Sequence, residues 1–319
     1  ILSGKKRFII GRKGTGKSAI LQKIRLHAQN EPTYFCTDIS LRDFPLNDFK
    51  SLGEKGLQDK SKYVSGWKFL LLTEVANLII QDNSIDETDE LEALRKFIKD
   101  NFPEGISVAE TISKLRQNEN KIAMALSVLS GEYNTSSSTE VISQIHYNKA
   151  VKVLEELLSK FQSESVYMLL IDELDEGYRA KNSNLNVVIL ALLRAADELY
   201  NFFKKNGIEC IPITALRSDI FDSLEDNDLN KLDDFVLRLN WTTDEKDPWS
   251  LKRIAEKRIA ATVMKRYPGL PECDYWSLVA DDETVPKGLW QYICTLTFRR
   301  PRDIIKLLKE KKLLDKVKV

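Results

Sequence analysis

Eight residues, Gly11 to Ser18, read G-R-K-G-T-G-K-S. Glycines let a chain curl so that successive backbone N–H groups converge on an anion. An apolar run, Phe8-Ile9-Ile10, precedes them, and a helical pattern, Ala19-Ile20-Leu21 through Ile24-Arg25-Leu26, follows. Strand, glycine-rich loop and helix in that order place a helix N-terminus behind the loop, and its partial positive charge favours phosphate. In such a loop the backbone from Gly11 through Arg12, Lys13, Gly14, Thr15 and Gly16 to Ala19 wraps the phosphates. Lys17 reaches the β- and γ-phosphates, and the Ser18 hydroxyl binds Mg²⁺. The plainer alternative is a surface turn rich in Gly and Lys. Gly14 to Ala19 also fits the G-x-G-x-x-A dinucleotide loop, with Asp38 about where a ribose-binding acid would lie.

A second stretch decides between these chemistries. Val166-Tyr167-Met168-Leu169-Leu170-Ile171 is apolar without alternation, the mark of a parallel strand buried on both faces. It ends abruptly in Asp172-Glu173-Leu174-Asp175-Glu176. Charges at the carboxyl end of such a strand sit at the sheet's ligand-binding edge. Asp172 would hold Mg²⁺ through water, and Glu173 would activate the attacking water. Hydride transfer has no need of this pair, so the dinucleotide option falls away. A further strand, Ile208 to Ile213, leads into Thr214-Ala215-Leu216-Arg217. Thr214 first and Arg217 second are candidates to contact the γ-phosphate or orient water. Ordinary polar residues at a strand end are an equally simple account.

The elements that must position these groups follow in order. Thr33 to Cys36 reads as a second strand and residues 37–66 as loop. Trp67 to Ile80 is apolar almost all round and reads as a buried helix. Residues 82–147 read as an acidic, helical insertion, with helical patterns near 90–99 and 108–128 and a polar loop at 134–139. Helices are expected over Tyr147–Phe161, Val187–Phe203, Pro248 to about Val263, and Ile304–Val317. Phe235 to Leu239 makes a fifth strand. Five strands separated by helices imply an α/β fold, a parallel sheet with helices on both faces and right-handed crossovers. The expected division is a core at 1–243, containing the insertion, and a small helical lid at 244–319.

Composition sets bounds. The 319 residues hold 48 basic and 48 acidic side chains, so net charge points to neither nucleic acid nor membrane. Local charge is uneven: residues 299–319 hold nine basic and three acidic residues, and residues 82–110 nine acidic and three basic. Lys306, Lys309, Lys311, Lys312 and Lys316 could meet nucleic-acid phosphates, although solvation and dipole complementation are the plainer use of such lysines. Cys36, Cys210, Cys273 and Cys294 are scattered and only two histidines occur, which argues against zinc sites and a disulfide scaffold and suits a reducing cytoplasm. Cys36 and Cys210 read as core thiols. No apolar stretch reaches the length of a membrane span. The chain begins at Ile1 rather than Met, as a piece of a longer protein would.

With these motifs placed, the chain resembles the additional-strand P-loop ATPases, in which a strand lies between the Walker A and Walker B strands. Within that class it is most similar to bacterial STAND and KAP-type ATPases and to origin-recognition AAA-like proteins. The resemblance rests on residues 7–26, 166–176, 208–217 and 235–305, leaving 82–147 outside it. Arg299-Arg300-Pro301-Arg302-Asp303-Ile304-Ile305 is similar to a late x-P-R-x-I-K segment of KAP-type domains and to the sensor-2 segment of AAA proteins. The resemblance implies a three-layer P-loop fold with a C-terminal lid, and Arg300 or Arg302 leaning over the nucleotide. No arginine-finger box follows the sensor strand. It also implies ATP and Mg²⁺ as ligands and a regulatory engine coupled to an effector, including in phage defence.

The expected activity is therefore Mg²⁺-dependent ATP hydrolysis used as a switch or motor. The alternative is a nucleotide-gated scaffold that recruits a protein partner, or a second copy, through the insertion or lid. The Asp172-Glu173 pair counts against a small-molecule kinase. The lack of an N-K-x-D motif favours ATP over GTP.

Overall fold

The computed structural model describes residues 1–42, 44–45, 48–49, 61–102, 108–129, 147–174, 183–224, 229–247, 250–268, 274–277 and 288–310. Its elements run β1 (Phe8–Ile10), α1 (Lys17–Ala28), β2 (Tyr34–Ser40), α2 (Ser61–Ile79), α3 (Asp89–Asn101), α4 (Val108–Gln117), α5 (Glu119–Leu129) and α6 (Tyr147–Leu158). They continue with β3 (Val166–Asp172), α7 (Ser183–Lys205), β4 (Glu209–Leu216), α8 (Ser218–Phe221), α9 (Leu229–Leu232) and β5 (Val236–Arg238). The chain closes with α10 (Leu251–Arg266), α11 (Leu289–Leu296) and α12 (Pro301–Glu310). By packing the chain divides into two units. One comprises Ile1–Ile10 and Ser18–Leu237, the other Gly11–Lys17 and Arg238–Val319.

The first unit is built on a parallel sheet in the order β2-β3-β4-β1-β5. β4 lies between the strand that precedes Gly11 and the strand that ends in Asp172, as the sequence led us to expect. Register sets Phe8 and Ile171 level with Thr214, and Ser40 level with Asp172. Side chains alternate across each strand. Phe8, Ile10, Tyr167, Leu169, Ile171 and Leu216 therefore join the main core, to which α2, α6 and α7 contribute. Ile9, Met168, Leu170, Ile211 and Ile213 are equally buried but lie outside that cluster. Such double burial removes any polar-out position along β3 and explains its unbroken apolar run. α1 buries Leu21, Ile24 and Ala28. The arrangement is compatible with a three-layer α/β sandwich.

The second unit has its own core. α10 buries Leu251, Ala255, Ile259 and Val263, one residue per turn. Trp276, Trp290, Ile293, Ile304 and Leu308 complete the cluster.

Several expected boundaries move. β2 runs on to Ser40 and α2 begins at Ser61, inside the stretch read as loop. β2 is an edge strand, so its Thr37, Asp38 and Ser40 need no apolar cover and hide the strand from a hydropathy reading. Gly66 falls inside α2, where a Cβ would sit in ordinary contact with the Phe49 ring at 3.5 Å. The pattern near 108–128 is two helices, α4 and α5, broken at Asn118. β4 extends past Ile213 to Leu216, which places Thr214 inside the strand. α10 starts at Leu251 and α12 at Pro301, where a proline suits the first helical position. The 134–139 loop, Asp175, Glu176, Cys273 and residues 311–319 lie outside the described residues. Cys36 is half-buried on β2 rather than a core thiol, and burial, with Asp38 adding to it, pushes its thiol up to about 12.

Two buried polar clusters tie the first unit together. Arg7, 1% exposed, donates from Nη1 to Gly4 O at 2.8 Å and pairs with Asp197. Its guanidinium lies between the rings of Tyr200, at 3.9 Å, and Phe235, at 4.1 Å. Its own N–H and C=O join β1 to Phe235 and Thr214. Asp82, just after α2, accepts hydrogen bonds from Ser84 N, Ser84 Oγ and the Tyr167 hydroxyl. Burial raises its pKa, but these bonds outweigh burial and bring it down to about 2.

Each cluster makes a prediction. Removing one partner of a buried pair leaves the other uncompensated, so Arg7→Ala should cost about 3 kcal/mol in urea unfolding. Arg25→Ala, which breaks an exposed pair with Asp38, should cost less than about 1 kcal/mol. Equal losses would show that the cage has no structural role. A depressed carboxylate pKa gives stability that is present above the unfolded value near 4 and lost as pH falls through the folded value. Asp82→Asn should therefore lower stability at pH 7 by about 2 kcal/mol and flatten the stability profile between about pH 4 and 2.

Candidate functional site

In the first unit, the first turn of α1 and the end of β3 meet. Ser18 Oγ donates to Asp172 Oδ2 at 2.6 Å. β3 is buried as far as Ile171 and only half-buried at Asp172, so this is the first position along it where a charge can meet solvent. The other Asp172 oxygen, Oδ1, accepts from Glu173 N at 2.8 Å. That bond accompanies a φ of +67° at Glu173, a left-handed conformation that costs a non-glycine residue about 1–3 kcal/mol. The turn aims the Glu173 carboxylate toward the end of β2. There Oε2 accepts from Ser40 Oγ at 2.6 Å, and Oε1 accepts from Arg42 Nη2 at 2.7 Å. Ser40 and Arg42 were missed in the sequence. For Ser40 the signal was present in the polar end of β2, but only the register Ser40↔Asp172 shows that it meets Glu173.

The loop Gly11–Lys17 belongs to the second unit. Gly14 and Gly16 have φ of +89° and +102°. A Cβ at Gly16 would meet nothing within 4 Å, so conformation rather than crowding asks for glycine there. At Gly14 a Cβ would also come within 3.2 Å of Arg302 Cβ. Gly11 is closely packed, its Cβ position lying 2.5 Å from Thr15 Oγ1. Thr15 is buried and donates from both N and Oγ1 to Arg12 O. Lys17 Nζ folds back on Gly11 O at 3.0 Å.

The loop's carbonyls are taken up by residues far along the chain. Arg300 Nη1 donates to Lys13 O at 2.9 Å, Arg302 N to Gly14 O at 3.3 Å, and Trp241 Nε1 to Thr15 O at 2.9 Å. Arg300 is held as well by Asp303, with Nε at 2.7 Å from Oδ2. It is thus a support for the loop rather than a free cation. Arg302 is exposed, and among the described residues its guanidinium has no hydrogen-bond or ion-pair partner.

The remaining candidates are spread out. Arg12 and Lys13 are exposed on the loop, and Ser18 and Ala19 are exposed at the start of α1. Thr214 is 1% exposed, and its Oγ1 has no hydrogen-bond partner among the described residues. It lies two residues short of the Ile10↔Leu216 pair that ends β1, so it does not stand at the strand edge as expected. Arg217 does follow the edge of β4, and pairs with Asp219, whose carboxyl it holds below the usual range.

The donor sets fit the expected ligands. A serine hydroxyl beside a carboxylate offers hard oxygen ligands, and Mg²⁺ is held by one or two such groups plus phosphate oxygens and water. No cluster of three or more His, Cys, Asp or Glu suited to a metal occurs among the described residues. No helix there is long and apolar enough to cross a membrane.

No protein-family model matches the chain. It is 24% identical over 314 residues to the putative transposon gamma-delta 80.3 kDa protein of Escherichia coli (strain K12). The alignment covers 95% of this chain and 41% of that protein, so the chain spans about two fifths of that relative's length.

Proposed function

We propose that this chain binds ATP with Mg²⁺ and hydrolyses it, as the engine of a switch or motor. The observation that carries this reading is the 2.6 Å hydrogen bond between Ser18 and Asp172, which joins the residue after Lys17 to the end of the buried strand β3. The positive φ values at Gly14 and Gly16 support it.

In this reading the N–H groups of residues 12–18 and the Lys17 ammonium hold the phosphates. Ser18 and Asp172 hold Mg²⁺, which when bound would neutralise charge developing on the β- and γ-phosphate oxygens. Glu173 accepts a proton from, or orients, the attacking water. Ser40 and Arg42 each take one lone pair of its two oxygens, so the remaining lone pairs are the ones that meet the water. Arg302, exposed beside Gly14, is the better of the two lid arginines for meeting the γ-phosphate, because Arg300 is committed to Lys13 and Asp303. Arg217 can serve as a second cation only by leaving Asp219.

The occupied Glu173 carboxylate favours a second reading, a nucleotide-gated scaffold that turns over slowly until a partner protein or second copy releases it. The relative's name connects that protein with a transposon. By that likeness, control of a mobile element joins phage defence as a proposed setting for either activity.

Both readings predict that Lys17→Ala weakens ATP binding by about 10- to 150-fold in calorimetry, the loss of one charge-assisted contact. The hydrolysis reading further predicts that Glu173→Gln leaves affinity unchanged and lowers turnover by about 10²- to 10⁴-fold. Unchanged turnover in Glu173→Gln would remove Glu173 from the chemistry. Full nucleotide occupancy with no turnover in the unaltered protein would select the scaffold.

A further inference from the structure

The balanced net charge of the chain hides a strong asymmetry between its units. The second unit holds 21 basic and 12 acidic residues, so the first carries the compensating negative excess. In the second unit the cations cluster where α11 turns into α12. Lys306 and Lys309 are exposed one turn apart on α12, and Arg299 is exposed in the turn. Arg299 and Lys309 have no hydrogen-bond or ion-pair partner among the described residues.

An aromatic ring precedes Arg299 in the same turn. Phe298 is 74% exposed, the most exposed of the large apolar residues described. Tyr292 and Leu296 are exposed one turn apart on α11, just before it. The ring is not a loose chain end. The Arg300 guanidinium lies 4.8 Å from its centroid, and Arg300 is itself fixed on Lys13 O and Asp303. Arg299, between them, has a φ of +55°, a conformation seldom adopted by a side-chain-bearing residue. The turn is therefore held in a strained form that keeps an aromatic ring in water beside cations. A solvated basic face has no use for that ring. Unpaired bases on a phosphodiester backbone match both features, because stacking serves the ring and phosphates serve the cations.

We propose that the α11–α12 turn binds single-stranded nucleic acid, with Phe298 stacking on a base and Arg299, Lys306 and Lys309 on the backbone. This stands apart from the nucleotide reading, since none of these four residues belongs to it and the strand is assayed without ATP.

The test is fluorescence anisotropy of the full chain with a labelled 30-nucleotide single strand, as DNA and as RNA, and with the matching DNA duplex, from 50 to 200 mM KCl. The single strand of either sugar should bind more tightly than the duplex. Phe298→Ala should weaken that binding about 5- to 150-fold and Phe298→Trp restore it, the effect of one stacked base. Lys306→Ala with Lys309→Ala should reduce the slope of log K against log salt by about 1.4. Absence of binding at 50 mM KCl would overturn the proposal. Equal affinity for duplex and single strand, insensitive to Phe298, would reduce the surface to a general polyanion site and also overturn it. So would a Phe298-dependent dimer in sizing with no strand affinity, which would make a second copy the occupant.

Discussion

Burial on both faces of β3 is the constraint from which the rest of the first unit follows. A strand with apolar neighbours on either side can carry charge only where it leaves the sheet. In this chain that point is Asp172, level with Ser40 on one neighbour and one residue beyond the Ile171↔Thr214 pair on the other. The sheet thus fixes a carboxylate at one edge without any dedicated support, and the first turn of α1 supplies the hydroxyl that meets it. What is specialised is the next residue. Glu173 turns into a left-handed conformation so that its carboxylate reaches sideways to β2 rather than forward.

The glycine loop is governed differently. Three of its carbonyls are gathered by Trp241, Arg300 and the N–H of Arg302. A loop held by its carbonyls keeps one backbone conformation, so the cost of ordering it is met within the fold. Arg300 carries several demands at once: Lys13 O, two contacts to Asp303 and the face of Phe298. A lysine could satisfy one of these, but only a planar guanidinium can satisfy them together.

The parts that were legible in the sequence are those where one local rule dominates. Phe8 to Leu26 shows its strand, loop and helix by an apolar run, glycine spacing and a helical pattern in turn, and β3 announces itself by an unbroken apolar run. What escaped was set by neighbours distant in sequence. β2 looked like loop beyond Cys36 because an edge strand tolerates Thr37, Asp38 and Ser40. Thr214 looked like a strand end because its polarity interrupts an apolar run, yet pairing with β1 carries β4 two residues further. Arg42 offered no signal, since a lone arginine in a polar stretch gains meaning only once β2 and β3 are in register. Arg300 and Arg302 were found together by resemblance, and only the contacts to Lys13 and Asp303 tell them apart.

The support of the loop has a consequence in time. Lys13 and Arg300 are 287 residues apart, so the bond between them closes nearly the whole chain. During synthesis at about 5–20 residues per second, the glycine loop emerges roughly 15–60 s before the arginine that steadies it. β1, α1 and β2 can begin to pack in that interval, but Lys13 O and Gly14 O lack their partners until Arg300 and Arg302 are made. A nascent chain, or one cut short before α12, therefore lacks these two contacts to the loop.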